Sequence, residues 1–540
     1  MIPFTPPVAD QLLTLQAVLG SDLLPGLDDE LVEQLLREGG RFAAGVLAPL
    51  NQVGDREGTW LDNGVVRTAT GFADAWRQFT EAGWLGLPFP DEFGGQGLPW
   101  TVATAVADSF NAANLTWYLA PLLTQGAIEA LLHHASDELK ARYLQDMVTG
   151  VATGAMCLTE PQAGSDLGAL RARAVPADNG SYRITGQKIY ITFGDHDFTE
   201  QVVHLVLARL PDAPEGSRGI SLFLVPKRLP DGSRNDWRVA GLEKKLGIHG
   251  SPTCVIAYGD HGGATGWLVG APHAGLKCMF TMMNNARLNV GVEGLGIAER
   301  ALQAASAYAA ERRQGKRGGA TVPIGEHPDV ALTITRMQAT TSAARGICYL
   351  TAAALDRGDQ TMAGLLTPIA KAWCTDRAVE LASDAIQVHG GMGFVEETGV
   401  AQLLRDARIL PIYEGTNGIQ AQDLVLRKLP QEDGQTVLRL FGQIRARLPA
   451  LALGEEIGAS LDVLEASTRS LRTASADDQA AAASLYLTLI GNVVGGWLLA
   501  EKAALGDLES DRLARFWAAR VLVQAQGQAA AIASGAAFIR

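Results

Sequence analysis

LRARAVPADNGSYRITGQKIYITFG, residues 170–194, is the stretch on which the fold turns. Apolar and polar residues alternate through it, and the cluster ADNGS interrupts the alternation. A period of two broken by turn residues predicts a β-hairpin. QVVHLVLARL (201–210) and GISLFLVPK (219–227) follow, each short, β-branched and bounded by turn residues. WRVAGLEKKLG and TCVIAYGD continue the series. The span from Gly154 to Gly270 therefore reads as an antiparallel β domain.

The period changes on both sides of this span. Residues 8–150 place apolar side chains every three or four positions, as in ADQLLTLQAVLG and DDELVEQLLREGGRFAAGVLAPLNQ, which predicts helices. Beyond residue 270 the chain reads as helical again, with helices at 329–357, 361–389 and 397–410 long enough to pack as a bundle. LPQEDGQ (429–435) is a linker, and Ala-rich amphipathic helices follow it. The expected class is α+β, mainly α. Its parts are an N-terminal helical domain (1–153), a central antiparallel β domain (154–270), a C-terminal four-helix bundle (271–430) and an additional C-terminal helical domain (436–540).

Composition narrows the function. A net charge of −13 argues against a general nucleic-acid binder, which needs an excess of Lys and Arg. The five cysteines form no CxxC pair and read as reduced, buried thiols of a cytoplasmic protein. MIPFTPPVADQ has no basic region followed by an apolar run, so no signal peptide is expected. The longest apolar run, LYLTLIGNVVGGWLLA (485–500), falls short of the roughly 20 residues of a membrane span and carries Asn492. Gly491 and Gly495, one turn apart, suit close packing on another helix. His133, His134, His204 and His249 lack partners at ligand spacing, so no metal is expected.

Five segments carry candidate chemistry. MCLTEPQAGSDLGAL (156–170) runs from a strand end into a turn rich in backbone N–H groups and hydroxyls. KIYITFG (188–194) places Tyr190 and Thr192 on one face of a regular strand. AERRQG (310–315) ends a long helix with basic residues, which also complement its dipole. QVHGGMGF (387–394) carries paired glycines that let backbone approach a pyrophosphate, and His389 in it reads as backbone-bonded. In LPIYEGTNGIQ (410–420), Pro411 stops one helix, and Asn417 with Gln420 has the spacing of a helix N-cap and its reciprocal partner. Glu414 is then a lone carboxylate in a tight junction, beside a glycine that permits close approach.

Taken together and in this order, TEPQAGSD, ITFG, ERRQG, HGGMGF and IYEGTNGIQ resemble the acyl-CoA dehydrogenase family over residues 80–430. DEFGGQG also fits, and the long C-terminal appendix resembles the family's larger subgroup. The resemblance implies FAD bound between the β domain and the bundle. Met156, Leu158, Thr159 and Ser165 would line the flavin, with Tyr190 and Thr192 covering one face and Thr416 touching the cofactor. Tyr190 stands where the family commonly has Trp. Arg312, Gln387, Gly390 and Gly391 would hold the ADP part, often of a neighbouring subunit, so a homodimer is implied. Ser165, Arg287, Tyr413 and Gly415 would face an acyl-CoA substrate. Glu414 would remove the α-proton while flavin N5 takes the β-hydride, yielding the trans-2-enoyl-CoA. Electrons would pass to electron-transfer flavoprotein. A rival is a flavin-bearing protein of the superfamily's alkylation-response branch, associated with nucleic acid. Residues 431–540 hold 10 Lys and Arg against 12 Asp and Glu, which disfavours it.

Overall fold

The computed structural model describes residues 4–20 and 28–539. They fall into two compact units. One comprises Met1–Gly45, Trp100–Ala113 and Arg287–Arg540; the other comprises Val46–Pro99 and Asn114–Ala286.

The second unit is built on an eight-stranded sheet. Its main path runs Ala264–Val269, Ile220–Pro226, Gln201–Arg209, Arg173–Pro176, Tyr182–Thr192, Thr253–Tyr258 and Trp237–Leu242. Ala264–Val269 also pairs with Tyr182–Thr192, which closes part of the path on itself. Gln201–Arg209 and Ile220–Pro226 are buried along nearly their whole length, with both faces covered. That is why VVHLVLA and ISLFLVP read as continuous apolar runs and not as alternation. Ile184, Val206, Phe223, Trp237 and Ile256 fill the core. Most pairings are antiparallel, as expected, but Ala152–Cys157 runs parallel to Gln201–Arg209. A long intervening connection makes that direction possible.

Two expectations change in this unit. The pairing of Tyr182–Thr192 with Thr253–Tyr258 slips between Lys188 and Ile191, and Tyr190 has φ 59° there. Such a bulge breaks the period of two, so alternation does not put Tyr190 and Thr192 on a shared face. Tyr190 stands 60% exposed, while Thr192 is half-buried. The stretch read as wholly helical also contains a hairpin, Trp60–Asp62 with Val65–Arg67. Asn63 and Gly64 both have positive φ in its turn, as an Asn-Gly hairpin requires.

The first unit is helical. Pro328–Asp356 and Gln360–His389 form its centre, and the long C-terminal helix Ala476–Ala504 packs on them. A Cβ on Gly491 would collide with Trp373, and one on Gly495 would press on Ala343. The indole of Trp373 donates to Asn492 Oδ1 at 3.0 Å. Ala476–Ala504 is longer than the quoted apolar run, because the Ala-rich residues before it extend the helix. By length and composition alone it could cross a membrane, yet 83% of its most apolar stretch is buried within the protein. Beyond Glu311 lies a second hairpin that the helical reading missed, Arg313–Arg317 with Ala320–Pro323, turning through Gly318 and Gly319. All five cysteines are free and buried.

Candidate active site

Glu414 sits where the sequence places it, between helix Val400–Ala407 and helix Asn417–Asp423. The connecting backbone folds tightly: Tyr413 N–H donates to Ile409 O, and Asn417 N–H to Pro411 O. Glu414 has φ 56° and Gly415 φ 87°. Two successive left-handed residues are tolerated because Gly415 carries no Cβ; one there would stand 2.8 Å from Gln420 Nε2.

The cap of the second helix differs from the expected one. Thr416, not Asn417, is the N-cap, its hydroxyl accepting from Ile419 N–H. Asn417 is drawn inward instead. Its amide donates to Ala372 O, Thr375 Oγ1 and Asp376 Oδ1. Gln420 does not reach back to the cap N–H but donates to Glu414 O at 3.1 Å. A buried polar environment outbid the local capping box.

Two cations and a carboxylate surround this turn. Arg287 Nε donates to Glu414 O at 3.3 Å. Lys371 is fully buried, and its Nζ donates to Gly415 O at 2.9 Å and Asn417 Oδ1 at 2.8 Å. Glu293, also fully buried, accepts a hydrogen bond from the Tyr413 hydroxyl. Burial pushes the Glu414 carboxyl up to about 7, against the pull of Arg287 and Lys371. Burial likewise pushes the Lys371 ammonium down to about 7, opposed by Glu414, Asp376 and Glu293. The result is a carboxylate matched to proton transfer near neutral pH. Sequence reading missed Glu293 and Lys371. The signal was a lone charge in each of two otherwise apolar stretches, LNVGVEGLGIA and TPIAKAW.

The remaining candidates form two groups. In the β unit, Met156 and Leu158 lie at the end of strand Ala152–Cys157, and Thr159 O accepts from Ile189 N–H, the neighbour of Tyr190. The loop between them is held by Glu160, which accepts from Arg171 N–H, Ala172 N–H and buried Lys188. Ser165 is exposed on that loop. In the helical unit, Arg312 lies just past its helix end; Gln387 is exposed in the last turn of helix Gln360–His389, and Gly390 and Gly391 are exposed just after it. Tyr308 stacks on His389 at 4.3 Å, which brings these two helix ends together. His389 Nδ1 bonds Ala385 O, the structural role expected of it.

These residues fit FAD. Tyr190 presents an exposed ring, and Ile189 beside it bonds the Thr159 carbonyl, which brings its strand to the Thr159 loop. Gly390 and Gly391 leave open space where side chains would stand, next to the basic end marked by Arg312.

Comparisons with known proteins agree over most of the chain. The acyl-CoA dehydrogenase N-terminal, middle and C-terminal domain families match residues 32–151, 155–261 and 273–429. The acetyl-CoA dehydrogenase C-terminal-like family matches 440–539. The 3-methylmercaptopropionyl-CoA dehydrogenase of Ruegeria pomeroyi is 46% identical over 89% of this chain and 86% of its own. A broad-specificity linear acyl-CoA dehydrogenase of Mycobacterium tuberculosis is 32% identical, covering 92% and 90%. The crystal structure of Caenorhabditis elegans ACDH-11 in complex with C11-CoA shares the fold, with TM-score 0.82 at 22% identity over 96% and 92% of the two chains. The chain therefore belongs to the acyl-CoA dehydrogenase family, FAD-dependent oxidoreductases that act on acyl-CoA.

Proposed function

We propose that the protein converts an acyl-CoA thioester to its trans-2-enoyl-CoA, with Glu414 as the base that removes the α-proton. The observation that carries this reading is the setting of Glu414. It is a partly buried carboxylate on a left-handed turn, held by bonds to its own carbonyl and to the next, with its affinity for protons raised to about 7. FAD, when bound, supplies the acceptor for the β-hydride. The chain's residues do the rest. Glu414 takes the α-proton onto its carboxylate. Arg287 and Lys371 keep that carboxylate ionised often enough to act. Gln420 and Lys371 hold the carbonyls of Glu414 and Gly415, so the turn does not relax. Tyr413 and Gly415 would face the acyl thioester, and Ser165 and Arg287 the CoA side.

Met156, Leu158, Thr159, Ser165, Tyr190, Thr192 and Thr416 are the proposed contacts to the flavin half. Arg312, Gln387, Gly390 and Gly391 are proposed for the ADP half. On one helix, residues 287 and 311 are separated by about 36 Å. That length favours a homodimer in which the Arg312 end serves the neighbour's cofactor. Electron-transfer flavoprotein is the proposed acceptor. The similarity to the Ruegeria enzyme makes a short acyl chain bearing a thioether the first substrate to try.

The test is anaerobic mixing of purified yellow protein with a panel that includes 3-methylmercaptopropionyl-CoA and butyryl-CoA. Wild type should bleach. Glu414→Gln should keep FAD and bind substrate but stay oxidised, slowed by at least 10²–10⁴-fold, the order a positioned base contributes. Bleaching of the variant at the wild-type rate would remove Glu414 from the role.

A further inference from the structure

Glu293 is the buried acid that the mechanism above leaves idle. It lies on helix Gly275–Glu311 in a stretch where two glycines bring that helix against helix Gln360–His389. A Cβ on Gly291 would meet Ala370 O at 2.9 Å, and one on Gly294 would meet the Cys374 backbone at 2.9 Å. This close approach seals Glu293 and Lys371 from water, and both are fully buried. One Glu293 oxygen accepts from the Tyr413 hydroxyl. The other, Oε1, has no hydrogen-bond partner. An ionised carboxylate so placed leaves a charged oxygen unsolvated, which is far costlier than an unionised carboxyl in the same place.

The groups facing Glu293 are few. The turn contributes Tyr413 and Glu414, and helix Gln360–His389 contributes Lys371. Arg287 lies on the same helix as Glu293, toward the turn. Burial pushes Glu293 up to about 8, the negative charge of Glu414 pushes it further, and Tyr413 and Lys371 pull it back. Two carboxylates that repel in one dry region do not both ionise easily. The more deeply buried of them keeps the proton.

We propose that Glu293 is a positioning residue for the base: protonated and bonded to Tyr413, it anchors the Tyr413–Glu414 turn and leaves Glu414 as the one working carboxylate. The proposal rests on the reading of Glu414 as base. It adds a consequence that reading lacks. When Glu293 ionises at alkaline pH, a second negative charge appears beside the region where the substrate enolate develops, and the rate falls.

The experiment uses the FAD-loaded holoenzyme and the pH dependence of anaerobic flavin reduction, with Glu293→Gln and Glu293→Ala. Wild type should show an acid limb set by Glu414 near 7 and an alkaline limb set by Glu293 near 8. Glu293→Gln keeps size and a neutral hydrogen-bonding head. It should run within about threefold of wild type near pH 7, keep the acid limb and lose the alkaline one. Glu293→Ala frees Tyr413 and should lose roughly 10- to 100-fold near pH 7, as a small misplacement of a base does, and should also lack the alkaline limb. Thermal stability gives a readout independent of turnover. A carboxyl whose folded pKa is raised contributes stability below its ordinary pKa and loses it as pH rises through the folded value. Wild type should therefore lose stability relative to Glu293→Gln between about 4.5 and about 8. If Glu293→Ala does not fold, the Glu293→Gln profiles still decide. An alkaline limb and a stability slope unchanged in Glu293→Gln would overturn the proposal. Activity in Glu414→Gln would instead overturn the base, while leaving the Glu293 stability slope in place.

Discussion

Glu414 at φ 56° is a non-glycine residue in a left-handed conformation, which costs on the order of 1–3 kcal/mol and persists only where its surroundings over-determine it. Here the determinants are visible as side chains from other elements: Arg287 and Gln420 on its own carbonyl, and Lys371 on the next. Lys371 also acts through charge, since it lowers the Glu414 pKa that burial raises. Replacing it with Met should therefore raise the Glu414 pKa above about 7 and move the acid limb of flavin reduction upward by about half a pH unit or more. Because a bond to Gly415 O is lost as well, the plateau rate should also fall. An acid limb that stays in place would show that Lys371 supports the turn without tuning the base. At this scale the candidate base stands out, because IYEGTNGIQ carries it in one short stretch. Glu293 and Lys371 were not. Each is a single charge inside a long helix, and its importance depends on which helix face meets which.

At the scale of elements, one buried network ties the helical unit together. Arg345, on helix Pro328–Asp356, bonds Asp108 at 2.7 Å and Glu299 at 2.8 Å, and also Asp10 of the N-terminal helix. Asp10 meets Lys502 of the C-terminal extension, whose Nζ also bonds Ser342. Tyr349 and Gln11 complete the shell around Asp108, which is fully buried. Removing one partner from such a cluster strands charges in a dry interior, at roughly 3–5 kcal/mol. Arg345→Met should accordingly lower the thermal midpoint and expose the N-terminal helix to proteolysis. Asp10→Asn should do less, because Asp10 is about one-third exposed. Equal midpoints for Arg345→Met and wild type would mean that packing alone holds these helices. None of this network announces itself in the sequence, where its members lie up to 492 residues apart. The two short hairpins escaped for a different reason: three- to five-residue strands offer too few positions for a period to show, although Asn63-Gly64 was a usable turn signal.

For the whole molecule, the exposed turn after helix Gln360–His389 sets an expectation about assembly. Phe394 is 86% exposed and Met392 50%, beside the glycines proposed for the ADP half of a neighbour's cofactor. An apolar patch there is costly to leave in water. Light scattering of the FAD-loaded protein should report at least a dimer, and Phe394→Asp should shift it toward monomer with loss of FAD, measured by mass spectrometry of the released cofactor. A monomer that retains FAD and full activity would contradict shared sites. The sequence by itself determined the class of the fold, the order of helical, β and helical parts, and the identity of the candidate base. Periodicity and short motifs are local, and local backbone chemistry expresses them wherever they occur. Tertiary structure decided the bulge that turns Tyr190 outward, the parallel strand in the sheet, the cap at Thr416 and the burial of Glu293. Each of these depends on burial and on partners distant in the chain, because desolvation and hydrogen-bond satisfaction act through space and leave no period in the sequence.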